Sequence, residues 1–299
     1  MRKNSLLGAL LFLAGTVLMQ AAPPRPKITG IAYVRFYTTD RAGAQHLYGD
    51  GLGLTLRHEK GMDVYLVGTS QRIEMDAKAG VSTDQPMLEE IGFETSDPVA
   101  LEQYLRSRGV THFTKIPDGF LLADRTTPRI AFVKHRDNPV HDTSREVSHQ
   151  IIHAGFTVKD RAQEDPLFLS VLGFRPYWIG GRAGNATDPD WVSLQTPDAH
   201  EWIEYMLHPS PHDNARQRGS AFHVSLGVVE MNAAIAKLKA NGWSDPKGAE
   251  MKPQAGLDGK YQYNLWDPDS SRIELMEFVP YTKPCCSQFT QANPSPGDR

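Results

Sequence analysis

Four stretches of the chain share one pattern of apolar and polar positions. Each opens with an apolar run of strand type, ends in a polar or acidic residue, and leads into a helical pattern. The runs are Ile31 to Tyr37 ending at Asp40, Glu90 to Thr95 ending at Asp97, Ile151 to Val158 ending at Asp160, and Phe222 to Val229 ending at Glu230. The helical patterns alternate between two kinds. After the first and third runs the helix stops at Leu52-Gly53-Leu54 and Leu172-Gly173-Phe174, where glycine supplies the left-handed residue that ends a helix. After the second and fourth it is longer and amphipathic, with Leu101, Tyr104 and Leu105, or Ala233, Ile235, Leu238 and Ala240, on one face.

Short strand patterns follow each helix, closed by turn residues such as Thr196-Pro197-Asp198 and Asp267-Pro268-Asp269. A last strand then completes each unit: Arg72 to Met75, Arg129 to Phe132, Trp202 to Met206 and Arg272 to Met276. The predicted unit is β-α-β-β-β, used four times in ABAB order, an α+β chain. Residues 28–134 form one predicted domain and 148–279 a second, joined by a polar linker over about 135–147. Residues 281–299 are rich in Pro, Gly, Ser and Gln and predict a disordered tail.

Residues 1–22 read as an export leader. Arg2 and Lys3 precede 14 uncharged residues from Leu6 to Met19, too short for a membrane span of about 20, and Ala21-Ala22 offers small residues for cleavage. The processed protein is expected outside the cytoplasm, periplasmic or extracellular, with no membrane contact after processing. Removing Arg2 and Lys3 takes the net charge from -3 to -5, so no basic surface for nucleic acid is expected. Cys285 and Cys286 are the two cysteines, and an adjacent pair makes neither a disulfide framework nor a thiolate zinc site.

Tandem βαβββ units with His in a first strand and x-Ile-Glu-x in a final strand resemble the vicinal oxygen chelate superfamily. Glyoxalase I and the extradiol ring-cleaving dioxygenases belong to that group. The resemblance covers about residues 28–279 and implies four modules paired into two glyoxalase-like domains. Each domain would be a U-shaped, partly open sheet with helices outside.

His153 lies 51 residues before Glu204, and His223 lies 51 before Glu274. The two histidines are 70 residues apart, as are the two glutamates. A lone strand histidine is usually a core or surface group, but this double repetition is hard to obtain by chance. Pseudo-twofold pairing would bring His153, Glu204, His223 and Glu274 together, as in the His-Glu-His-Glu set of glyoxalase I. Imidazole with carboxylate suits one divalent ion: Zn, Ni, Co, Mn or Fe. The matching residues of the first half are Tyr33, Glu74, Glu90 and Ala131, so residues 28–134 are expected to be free of metal.

The resemblance implies a small-molecule substrate with adjacent oxygens and proton-transfer isomerase or lyase chemistry, with Glu204 or Glu274 as base. Two carboxylates would cancel the charge of a divalent ion. A ferrous extradiol dioxygenase is the alternative, favoured by the four-module layout. Those enzymes use two His and one Glu, and carry a Tyr ten residues before the ligand Glu, where this chain has Asn264. A non-catalytic ligand-binding protein is the third reading, and self-association into a homo-oligomer stays open.

Overall fold

The computed structural model describes residues 23–125, 128–246 and 248–299. The leader expected over residues 1–22 lies outside them. Among the described residues, no helix is long and apolar enough to cross a membrane.

The first sheet contains β1 (Ile28–Tyr37), β2 (Thr55–Glu59), β3 (Met62–Val67), β4 (Gln71–Asp76), β5 (Leu88–Thr95), β6 (Phe113–Ile116), β7 (Gly119–Leu122) and β8 (Arg129–Lys134). Its order is β2-β3-β4-β1-β5-β8-β7-β6. The second sheet repeats this with β9 (Ile151–Thr157), β10 (Arg175–Gly180), β11 (Trp191–Gln195), β12 (Trp202–Met206), β13 (His223–Val228), β14 (Gln254–Ala255), β15 (Tyr261–Trp266) and β16 (Arg272–Glu277). Its order is β10-β11-β12-β9-β13-β16-β15-β14. Each sheet is two βαβββ modules joined through their first strands, which pair antiparallel at the centre.

The acidic residue that ends each first strand caps the helix that follows. Asp97 Oδ1 accepts from the Ala100 amide at 2.9 Å, before α2 (Pro98–Ser107). Asp40 and Asp160 act in the same way for α1 (Arg41–Ala44) and α3 (Arg161–Asp165), and both of these short helices continue as a π-turn. Substituting such a cap by alanine typically costs about 1 kcal/mol. Gly53 and Gly173 follow the π-turns at φ +73° and +79°, which an alanine would adopt only under strain. A helix absent from the sequence prediction, α4 (Ala215–Ala221), rests on an Asn214–Gln217 capping box rather than on an apolar face. The longer α5 (Met231–Ala240) is capped by Glu230 and buries Ile235 and Leu238.

One apolar cluster runs through both halves, so the two sheets share a core. Phe93 meets Phe174 edge-on at 5.4 Å across the junction. The fully buried Gln71 stitches the backbones together, donating to the Ile31 and Ile151 carbonyls and accepting from the Ile151 amide at 2.7 Å.

The C-terminal segment corrects the expectation of a disordered tail. Its composition cannot build a core, but β10 is a sheet edge with unpaired backbone groups, and the segment satisfies them. The Thr290 amide donates to the Tyr177 carbonyl at 3.0 Å, and Ser287 Oγ accepts from the Ile179 amide at 2.9 Å. At the far side the Cys285 amide donates to the Leu257 carbonyl at 2.8 Å. Cys285 and Cys286 are joined as a disulfide. Arg299 pairs with Glu201 at 2.6 Å and with Glu94 of the first half at 2.8 Å.

Candidate metal centre

The central strands of the second sheet place the four candidate ligands on one face. In the β9–β13 register His153 faces Ser225 and His223 faces Gly155. Glu204 on β12 also lies beside Gly155, and Glu274 on β16 lies beside Ser225. The arrangement is a local twofold, one His and one Glu from each module. Gly155 is required for it: a Cβ there would lie 2.0 Å from His223 Cε1.

The donor atoms converge. His153 Nε2 is 3.0 Å from His223 Nε2 and 3.3 Å from Glu274 Oε2, and His223 Nε2 is 3.7 Å from Glu204 Oε2. Bonds of about 2.1 Å put neighbouring ligand atoms about 3.0 Å apart at right angles and about 3.4 Å apart in a tetrahedron. The donors thus already stand at coordination spacing. His153, Glu204 and His223 form one group with ligand atoms within 4.8 Å of each other, the single such group among the described residues. Glu274 adjoins it through His153 but is shared with Arg272, whose Nη1 lies 3.6 Å from Glu274 Oε1.

The electrostatics fit a cation. Burial first, then Arg272, holds both imidazoles well below the usual histidine range, so they are neutral and have lone pairs to give. Burial first, then the neighbouring Glu274, pushes Glu204 up to about 8. Burial also raises Glu274, with Arg272 opposing. Two acids and two neutral bases crowded in a buried site are the donor set that a divalent ion neutralises, and the residues fit the expected metal. The support behind them is thin: His153 Nδ1 is buried without a partner, and His223 Nδ1 has only a weak approach to the Ser220 backbone. Trp202 stacks on His153 at 4.6 Å and fixes the ring by packing instead.

The centre opens into a cavity of about 200 Å³ lined by Trp178, Trp191, Glu204, Arg272, Glu274 and Met276. Arg272 escapes the sequence reading, although Arg-Ile precedes Glu or Ala in three of the four final strands. It changes the charge balance expected above. Two carboxylates and a divalent ion cancel, and Arg272 then leaves one positive charge. Lys260 is a second hidden cation, fully buried, with Nζ 4.6 Å from the Trp202 ring centre and pushed down to about 8 by burial. The other histidines stay outside. His149 pairs with Glu146 at 2.9 Å, and His200 with Asp298 at 2.9 Å. Asn264, at the position where extradiol enzymes have Tyr, accepts from Arg272 at 3.4 Å.

In the first sheet the matching place is filled by protein. Arg35 occupies the position of Gly155 and extends its guanidinium between Glu74 at 2.7 Å and Glu90 at 3.2 Å. Tyr33, in place of His153, donates to Glu90. A fixed cation sits there between two carboxylates.

No protein-family model matches the chain, and no curated protein sequence does. Solved structures are similar. The homoprotocatechuate 2,3-dioxygenase of Arthrobacter globiformis aligns over 85% of this chain and 81% of its own, at 16% identity and a TM-score of 0.61. The homoprotocatechuate 2,3-dioxygenase of Brevibacterium fuscum, in its anaerobic complex with 3,4-dihydroxyphenylacetate, aligns over 93% of this chain and 85% of its own, at 16% identity and 0.59. A room-temperature structure of an extradiol ring-cleaving dioxygenase from B. fuscum gives 15% identity and 0.63, over 85% of this chain and 73% of its own. Similarity at this identity establishes the fold: the chain has the two-domain, four-module fold of these dioxygenases.

Proposed function

We propose that the protein is a divalent-metal-dependent enzyme that takes a small anionic substrate through two adjacent oxygens, and that oxygen-dependent cleavage of a catechol-type ring is its reaction. The observation that carries this is the convergence of His153 and His223 at 3.0 Å with Glu274 3.3 Å from His153, beside the buried Arg272. Two imidazoles and one carboxylate leave positions open for substrate, and suit ferrous iron. A bound divalent ion would supply a Lewis acid that holds two adjacent oxygens and lowers their pKa. The chain's own residues do the rest. Arg272 adds a fixed positive charge on the cavity wall, which draws in an anion. Trp178 and Trp191 line the same cavity and offer faces against which a planar ring packs. The fold shared with the homoprotocatechuate dioxygenases supports this reading.

A second reading, metal-dependent proton transfer of isomerase or lyase type, is favoured by Glu204, a fourth donor 3.7 Å from His223. With both carboxylates committed, Glu204 would be the proton acceptor. The test is oxygen uptake by the iron-loaded protein with 3,4-dihydroxyphenylacetate and catechol, with and without Glu204→Gln. Ring cleavage that requires oxygen supports the first reading. Oxygen-independent turnover of a dicarbonyl, thioester or diol, lost in Glu204→Gln, replaces it with the second. Tight binding without turnover of any of them leaves a sequestering protein. Export is proposed as well, and N-terminal sequencing of secreted protein beginning near Ala22 would support it.

A further inference from the structure

The first sheet encloses the larger cavity, about 270 Å³ against 200 Å³ in the second. Six basic and five acidic side chains line it. Most are already matched. Arg35 pairs with Glu74 and Glu90, Arg129 with Glu90 at 2.8 Å, Arg136 with Glu59 at 3.2 Å, and Glu94 is held from outside by Arg299.

Of the remaining cations Lys60 and Lys134 are exposed to solvent, and Arg72 is the buried one. It is 8% exposed, yet among the described residues no carboxylate lies within ion-pair distance of it. Its Nε donates to Asn138 Oδ1 at 3.0 Å, and Nη2 reaches the Asp137 carbonyl at 3.5 Å. Asn138 is itself fixed, donating to the Gly68 and Gln71 carbonyls at 3.0 Å each. The guanidinium is therefore held in place by neutral groups, at the register position that Trp202 occupies in the second sheet. Burial first, then the nearby Arg136, disfavours its charge, and Glu59 and Glu74 favour it only from beyond ion-pair distance. Such a buried, preorganised guanidinium without a carboxylate in direct contact is matched by one, which it binds through two parallel hydrogen bonds. The other arm of the sheet supplies an apolar wall through Ile116, Leu121 and Val133.

We propose that the first sheet holds a second ligand site, for a small monoanionic carboxylate whose charge pairs with Arg72 and whose apolar body lies against Leu121 and Val133. A phosphate dianion fits worse, since Glu74 and Glu90 face the same cavity and no second free guanidinium does. The volume lies just below the usual range of about 300–1,000 Å³ for ligand pockets, which keeps the ligand small.

Titration calorimetry on the full chain, stripped of metal, tests this with 3-phenylpropionate as probe. The neutral 3-phenylpropanol and inorganic phosphate serve as comparisons. Phenylpropionate is expected to bind one per chain, with the alcohol and phosphate at least about tenfold weaker. Arg72→Met should weaken it about ten- to hundredfold, as loss of a charge-assisted pair does. Arg72→Lys, which keeps the charge and the fold but not the fork, should fall between. The His153→Ala/His223→Ala double variant should bind like wild type, which separates this site from the metal centre. Equal affinity in Arg72→Met or Arg72→Lys, a preference for phosphate or the alcohol, loss of binding in the double histidine variant, or no binding at millimolar probe would each overturn the assignment.

Discussion

Gly155→Ala probes the centre without touching a donor atom. The new Cβ would lie 2.0 Å from His223 Cε1 and 2.4 Å from Nδ1. Carbon contacts rest at about 3.5–4.0 Å, so the imidazole must move by about 1.5 Å. His223 is fully buried and already 3.0 Å from His153, which leaves it nowhere to move and still coordinate. A shift of that size takes Nε2 out of a bond of about 2.1 Å. Disturbing the groups behind a ligand typically costs 10- to 100-fold in metal affinity, and displacing the ligand itself should cost at least about 100-fold. Overpacking should also lower stability by about 1–3 kcal/mol. Competition against a fluorescent chelator measures the first effect, and thermal melts without metal the second. Gly92→Ala is the control, because its Cβ would lie 2.1 Å from Tyr33 Cε1 in the first sheet. It should destabilise the protein comparably and leave metal affinity unchanged. Wild-type metal affinity in a folded Gly155→Ala protein would refute the role of His223 as a ligand.

Elemental analysis of the purified protein should give one divalent ion per chain, and His153→Ala with His223→Ala should abolish loading. Two tightly held ions would contradict the cationic plug made by Arg35. Glu204 carries a proton up to about pH 8 in the metal-free protein and must release it to coordinate. Metal affinity should therefore rise about tenfold per pH unit from pH 5 to 8 and then level off, read by chelator competition. The same raised pKa favours the metal-free fold at low pH, and that stability is lost as pH rises from the ordinary carboxylate range to about 8, so its Tm should fall between about pH 6 and 8 and then level off, while that of the loaded protein stays flatter. Arg299→Ala leaves Glu201 buried without its partner and Glu94 with only His135 and the Thr29 hydroxyl, and should cost about 3–5 kcal/mol by thermal or urea unfolding.

The module repeat and the four candidate ligands were legible because both are periodic. Strand alternation and a constant 51-residue spacing fix which side chains share a face, whatever surrounds them. The acidic strand ends were visible too, although their use as helix caps emerges only when the turn closes. Arg272, Lys260 and Arg72 were not, because a buried cation has no sequence signature apart from its neighbours, and charged residues on strands usually face solvent. Gly155 was inconspicuous for the same reason: its meaning depends on a ring from another strand. The tail was misjudged because composition reports what a segment can bury by itself. Residues 281–299 need no core of their own when a sheet edge and the Glu94–Glu201 pair of acids are waiting for them.

The two sheets are two answers to one electrostatic problem. Both bring carboxylates from facing modules toward a buried centre, where they must meet a cation or keep a proton. In the first sheet the cation is covalent: position 35 carries arginine, and its guanidinium satisfies Glu74 and Glu90. In the second sheet the same position is Gly155, so no guanidinium stands between Glu204 and Glu274; Arg272 reaches Glu274 from the side, and His223 takes the vacated space. The exchange has a consequence for function. A guanidinium that fills its site has no open positions and can only attract charge, whereas an ion held by four side chains or fewer keeps positions for substrate oxygens. On the proposed function, the duplication separates structural charge in one sheet from a metal site in the other, and a single residue, 35 against 155, marks the division.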